Sequence, residues 1–144
     1  MTGSPTIRIT RPGNPLEPQV TETLRRAIAQ CPDVAFAHLV DVQVVEQQER
    51  PELALFVWLL PEAMGSLRSA LNLVSEAVAS ALPSDRFVDV LILNSAPELL
   101  AGVERADCLL VERDASERER AKTAMRQVSE GAEVVGRKPW WWPF

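Results

Sequence analysis

The chain has 144 residues, is 47% apolar and carries a net charge of −5, enough apolar material for one domain with a real core. The acidic balance excludes a general nucleic-acid or anionic-membrane binder, because such proteins rely on Lys and Arg to displace counterions. Two cysteines and one histidine are too few, and too widely spaced, for the paired ligands of a zinc site.

No cofactor is expected. Cys31 and Cys108 sit among apolar residues and read as core thiols rather than a disulfide. The first residues lack the basic-then-apolar order of a secretory leader, and no apolar run approaches the ~20 residues that span a bilayer. The expected compartment is the cytoplasm.

Residues 6–10 alternate, with Ile7 and Ile9 on one side, and predict a short edge strand. Arg11-Pro12-Gly13-Asn14-Pro15 interrupts regular structure. From Pro18 the spacing becomes helical: Val20, Leu24, Ala27, Ile28 and Cys31 recur every three or four residues until Pro32. Residues 34–45 predict a second strand. Val34, Phe36, Val40, Val42 and Val44 share one parity there, and His38 interrupts it. A polar loop follows, then residues 53–60, apolar at odd and even positions alike. Side chains alternate across a strand, so this one should be covered on both faces. The short loop predicts an antiparallel hairpin.

Pro61 closes that strand, and Ser66 is placed to cap a second helix. Leu67, Leu71, Val74, Ala77, Val78, Ala81 and Leu82 form its apolar stripe. After the turn Pro83-Ser84-Asp85, residues 87–93 predict a fourth strand. Val88, Val90 and Ile92 take one side, and Asp89 breaks the other. Residues 95–105 predict a short helix with Leu99, Leu100 and Val103 inward, and 108–111 a short extended segment. Residues 114–130 carry opposite charges at three- and four-residue spacing, which supports an exposed helix. The chain ends Arg137-Lys138-Pro139-Trp140-Trp141-Trp142-Pro143-Phe144.

The order β-α-β-β-α-β, with both helices amphipathic, predicts a ferredoxin-like α+β fold. Its antiparallel sheet would carry both helices on one face, with a C-terminal helix and an aromatic tail added. The division expected is an α+β domain over 1–113 and a charged helix with a Trp-rich tail over 114–144. The second sheet face, bearing either Phe56 and Trp58 or Leu55 and Val57, needs a cover. A third helix, the tail or a second copy of the chain could supply it.

Two stretches carry a family resemblance. Pro51-Glu52-Leu53-Ala54-Leu55-Phe56-Val57 opens an apolar strand after a polar loop. Ala81-Leu82-Pro83-Ser84-Asp85-Arg86-Phe87-Val88-Asp89-Val90 joins a helix end, a Leu-Pro turn and a strand bearing Val-Asp-Val. Together they resemble the C-terminal domain of the bacterial enhanced serine sensitivity proteins, the SseB family. The resemblance spans residues 20–113, roughly two thirds of the chain. Where that family carries Pro-Phe-Tyr, this chain has Cys108-Leu109-Leu110. The resemblance implies the fold, and a link to amino-acid metabolism through the family's name. It implies no catalytic residue.

No nucleophile–base pairing and no Gly-rich phosphate loop is visible, so no enzyme is expected. His38 reads as a structural or solvent-facing histidine, with only Asp41 nearby. Asp89 is expected on the solvent face; buried, it would need Arg86, Arg105 or backbone N–H groups as partners. The tryptophan tail has three open destinations: folded back over the sheet, docked in a partner's groove, or resting on a membrane surface, for which two basic residues are few. The function expected is a non-enzymatic protein-interaction module acting through Phe56, Trp58, Trp140, Trp141, Trp142 and Phe144. Its partner is an unspecified protein, with a homodimer as one case. The alternative is a small-ligand sensor of amino-acid metabolism, favoured by an apolar pocket lined by Trp58 with Asp89 or His38.

Overall fold

An eleven-residue, almost wholly buried strand, β2 (Val34–Val44), is the hub of the sheet. The computed structural model describes residues 6–47 and 49–129, less the side chains of 124–129. One edge of β2 takes β3 (Glu52–Leu59) as its antiparallel hairpin partner, with Ala37 opposite Val57 and Val42 opposite Glu52. The other edge is shared. β1 (Ile7–Thr10) pairs its second half, Ile7 facing Val44, and β5 (Leu109–Glu112) its first half, Phe36 facing Glu112. Both fit because each is four residues long. β4 (Asp89–Ile92) adds to the outer edge of β3 in parallel, Ala54 facing Asp89.

The class is α+β, with a mixed five-stranded sheet. The ferredoxin-like ordering expected from the element sequence is not what forms. The path runs β1-β2-β3-β4 with β5 on β2, and β3 with β4 is a parallel pair. The reason is steric. α2 (Leu67–Ala81) carries the chain back along the sheet, so β4 starts at the same end as β3. Both edges of β2 are taken, which leaves the outer edge of β3.

The first two helices share one face, as expected, and two further helices cover the other. α1 (Pro18–Ala29) and α2 set Leu24, Ile28, Ala70, Val74 and Val78 against Leu39, Leu55, Val57 and Ile92. On the opposite face, α3 (Leu100–Ala106) and α4 (Ala115–Ser129) set Leu100, Val103 and Ala121 against Phe36, Val40, Ala54, Phe56 and Leu91. Each large side chain so buried contributes ~1.5–3 kcal/mol. Odd residues of β3 therefore face α1 and α2, and even ones face α3 and α4. In β2 a register shift between Val34 and Phe36 breaks that parity, placing Val34 in the first core and Phe36 in the second.

The second face is thus closed by helices. α4 belongs to that cover, so the change of composition at residue 114 marks a change of surface and not the end of the core. α1 starts with Pro18 in its first turn, where the missing N–H is harmless. Ser66 occupies the N-cap position of α2 without a side-chain cap bond, because a 3-10 turn over Pro61–Ser66 runs straight into the helix.

Candidate functional site

The α3–α4 face is tied down by charge. His38, at 0% exposure in mid-β2, has its Nε2 3.0 Å from Glu104 Oε2 on α3. Glu104 also takes a two-pronged bond from Arg118 of α4, Nε to Oε2 at 3.1 Å and Nη2 to Oε1 at 2.8 Å. Arg118 turns its remaining nitrogen to Glu112 of β5. Burial alone would raise the Glu104 carboxyl, but the hydrogen bonds from His38 and Arg118 outweigh it and hold the group at about 2. An ionised Glu104 only accepts, so the inferred tautomer of His38 carries its proton on Nε2. His38 Nδ1 is buried without a hydrogen-bond partner. One strand, two helices and an edge strand meet in this knot.

A second knot lies beside it. Glu117, 7% exposed, accepts from Trp58 Nε1 at 3.0 Å and from Arg120 Nη2 at 2.6 Å. The Trp58 ring stacks on Phe36, centroids 5.9 Å apart and planes within 5°. Asp114 caps α4 by accepting the Glu117 N–H at 3.0 Å. The spacing Asp114-x-x-Glu117 is that of a capping box, but the Glu117 carboxylate goes to Trp58. Both knots tie helices to the sheet, and in the first only His38 Nδ1 is left without a partner.

An open concavity lies elsewhere. A trough of about 530 Å³ runs between α2 and the outer edge of β4, lined by Leu71, Ser75, Val78, Leu82, Phe87 and Val90 among others. That volume lies within the ~300–1,000 Å³ of ligand clefts. Phe87, at 74% exposure, stands at its margin. The segment that forms this margin is pinned from outside: Arg86 Nη2 donates to the Asn14 carbonyl at 2.7 Å. At the far end of β4, Asn94 imitates a strand, donating to Leu59 O at 3.1 Å and accepting Leu59 N–H at 2.7 Å.

Asp89 borders the trough. It is half-buried, not on the solvent face as expected. Its neighbour is not an arginine but a second carboxylate, Glu52, and its Oδ2 is buried without a hydrogen-bond partner. Burial first, and the Glu52 charge second, push its carboxyl up. Asp41 of β2, also buried, is satisfied, since its Oδ2 accepts the Gly13 N–H at 2.9 Å.

Of the expected contact residues, Phe56 is fully buried beneath α3 and Trp58 is half-buried and bonded to Glu117. Their strand faces inward because α3 and α4 close that face. Trp140, Trp141, Trp142 and Phe144 lie outside the described residues. Cys31 is buried, Cys108 half-buried, and both are free. Burial raises both thiols, which suits inert packing groups rather than nucleophiles. Neither Trp58 nor His38 borders the trough; of the polar residues tied to a ligand pocket, only Asp89 does. The Glu104–Arg118 pairing joins two helices and leaves no local pattern, although a lone histidine in an apolar strand already asks for a carboxylate.

No family model, curated protein or solved structure matches the chain. Among the described residues no three His, Cys, Asp or Glu side chains gather as a metal site, and no helix is long and apolar enough to cross a membrane.

Proposed function

We propose that the chain is a non-enzymatic protein-interaction module whose contact elements are the α2–β4 trough and the Trp-rich C-terminal segment. The observation that carries this reading is the trough itself. It is an open, mainly apolar concavity with an exposed phenylalanine at its margin, on a domain whose two sheet faces are closed by helices. Aromatic anchors in such a recess dominate many interfaces. Membership of the SseB family is part of the same proposal. One of the two stretches that carry the resemblance, residues 81–90, supplies much of the trough's lining.

A photo-reactive side chain in place of Phe87, used in cells, tests the reading. A protein captured at that position, and not at exposed Arg26 on α1, is purified and titrated against the full chain. Binding weakened ~tenfold or more by Phe87→Ser supports the module. Binding indifferent to Phe87→Ser rejects this surface.

One observation favours a second reading, a sensor of a small amine-bearing ligand. Asp89 brings an unsatisfied carboxylate oxygen to the border of a ligand-sized recess. Thermal shifts measured against free amino acids decide it. A saturable rise that Asp89→Asn abolishes supports the sensor, and a flat response counts against it.

A further inference from the structure

The sheet ends at β1, which among the described strands pairs only with β2. The register fixes which of its groups point outward. Val45 N–H donates to the Thr6 carbonyl at 2.9 Å, which makes Thr6 a bonded position. Bonded and non-bonded positions alternate along an antiparallel pair. Arg8 and Thr10 therefore turn their main-chain groups to β2, and Ile7 and Ile9 turn theirs outward. Side chains alternate as well. Ile7 and Ile9 pack into the core on the α3 side, and Arg8 points to the other face.

Beside this edge, between β1 and α3, lies a cleft of about 300 Å³ lined by Ile7, Arg8, Ile9, Gly102, Arg105 and Ala106. That is the lower end of the range for ligand clefts. Arg11, just past β1, ties the strand to the end of α3 by donating to the Ala106 carbonyl at 3.1 Å. Gly102 leaves the helix wall bare. A methyl there would meet Ile9 Cδ1 at 3.5 Å, an ordinary contact, so packing would admit alanine, the better helix former. Arg8 and Arg105 are exposed, and neither forms an ion pair with a described residue. Three arginines thus flank one edge of a chain whose net charge is −5.

We propose that the β1 edge is a docking site for an extended, acidic segment of another protein, which adds to the sheet as a further strand. Its main chain bonds the outward groups of Ile7 and Ile9. One of its side chains enters the cleft. Acidic neighbours, alternating across the added strand, meet Arg105 on the α3 side and Arg8 on the other. Charge decides the occupant. Pairing two copies of the chain through both outward positions would set the two Arg8 side chains directly opposite, and like charges so placed destabilise a strand pair. An acidic segment turns the same arginines into partners. The site is separate from the α2–β4 trough, which lies at the other end of the strand order.

The test selects ligands for the full chain from a displayed library of random heptapeptides, with the Arg8→Glu/Arg105→Glu variant in excess as soluble competitor. Both arginines are exposed, so the variant should keep its melting midpoint. The selected peptides should be rich in Asp and Glu. Synthetic copies should bind the natural chain ~tenfold or more tighter than the variant, with affinity falling as salt is added. Amide exchange read by NMR supplies the location. In the free chain the Ile7 and Ile9 amides should exchange fast and the Arg8 amide slowly. Bound peptide should slow Ile7 and Ile9 ~fivefold or more and leave residues 82–92 unchanged.

Four results overturn the proposal: no peptide that prefers the natural chain, selected peptides without an acidic excess, Ile7 and Ile9 amides already slow in the free chain, or a doubled mass that the double variant abolishes, which assigns the edge to a second copy. Slowing confined to 82–92 would overturn it as well and would place the peptide at the trough. Capture of a partner at Phe87 is untouched by the first four outcomes, so the interaction reading of the trough can stand while the β1 site fails.

Discussion

α1 and α2 cover their face of the sheet chiefly with aliphatic side chains, and α3 and α4 cover the other with a smaller apolar set plus two charged knots. The difference follows from composition. α1 and α2 present Leu24, Ile28, Val74 and Val78, enough area to seat a helix without directional bonds. The first turns of α4 offer Ala121 to the core. Hydrogen bonds from Arg118 to Glu104, and between Trp58 and Glu117, decide where that helix sits. Burial is tolerant of sliding, whereas a two-pronged guanidinium–carboxylate bond is not.

The sharpest way to separate the two faces is a pair of substitutions followed by urea unfolding at two pH values. Leu24→Ala, in the aliphatic core, should lower stability by ~3 kcal/mol at either pH through its cavity. Arg118→Met should lose nearly as much at pH 7, ~3 kcal/mol, because Glu104 is left charged without its main partner. Adding Glu104→Leu to Arg118→Met should recover a large part of that loss. A double variant as unstable as the single one would show that α4 is held by packing and not by the knot.

Acid provides the next test. The folded Glu104 carboxyl sits at about 2, below its value of ~4.3 in an unfolded chain. Its contribution is complete above the unfolded value and is lost as pH falls toward the folded one, at most ~3 kcal/mol. Between pH 5 and 2 the stability gap between the natural chain and Glu104→Gln should therefore close. Parallel pH profiles for the two proteins would remove Glu104 from the account.

Smaller effects follow at the ends of the helices. Asp114→Ala removes the α4 cap and should lower the midpoint by the equivalent of ~1 kcal/mol, measured by circular dichroism during heating. Asp107 ends α3 with φ 56°, in the left-handed region that favours glycine. Asp107→Gly should be neutral or stabilising by up to ~1 kcal/mol, because its ion pair with Arg11 is exposed and adds little. A clear loss in that variant would mean the Asp107 carboxylate matters more than its geometry suggests.

Most of the elements were legible along the chain. The aliphatic spacing of α1 and α2, the two-sided apolarity of residues 53–60 and the Val88-Val90-Ile92 side of β4 all read correctly, because each is a local period set by burial. Strand order was not legible. The expected ferredoxin-like sheet failed because nothing local says that β1 and β5 share one edge of β2, which sends β4 to the outer edge of β3. The burial of the expected contact pair, Phe56 wholly and Trp58 in part, was not legible either. Their apolarity announced a covered face, and the cover came from α3 and α4 of the same chain.

The sequence by itself determined an α+β domain with at least four strands, amphipathic helices, two structural thiols and a strand buried on both sides. These follow from periodicity and from the need to remove apolar area from water. Only the tertiary structure decided which strands meet, that His38, Glu104 and Arg118 form one knot, that Asp89 lies beside Glu52, and that a trough opens between α2 and β4. Those facts join residues far apart in the chain, and their energies depend on distances that no local pattern encodes.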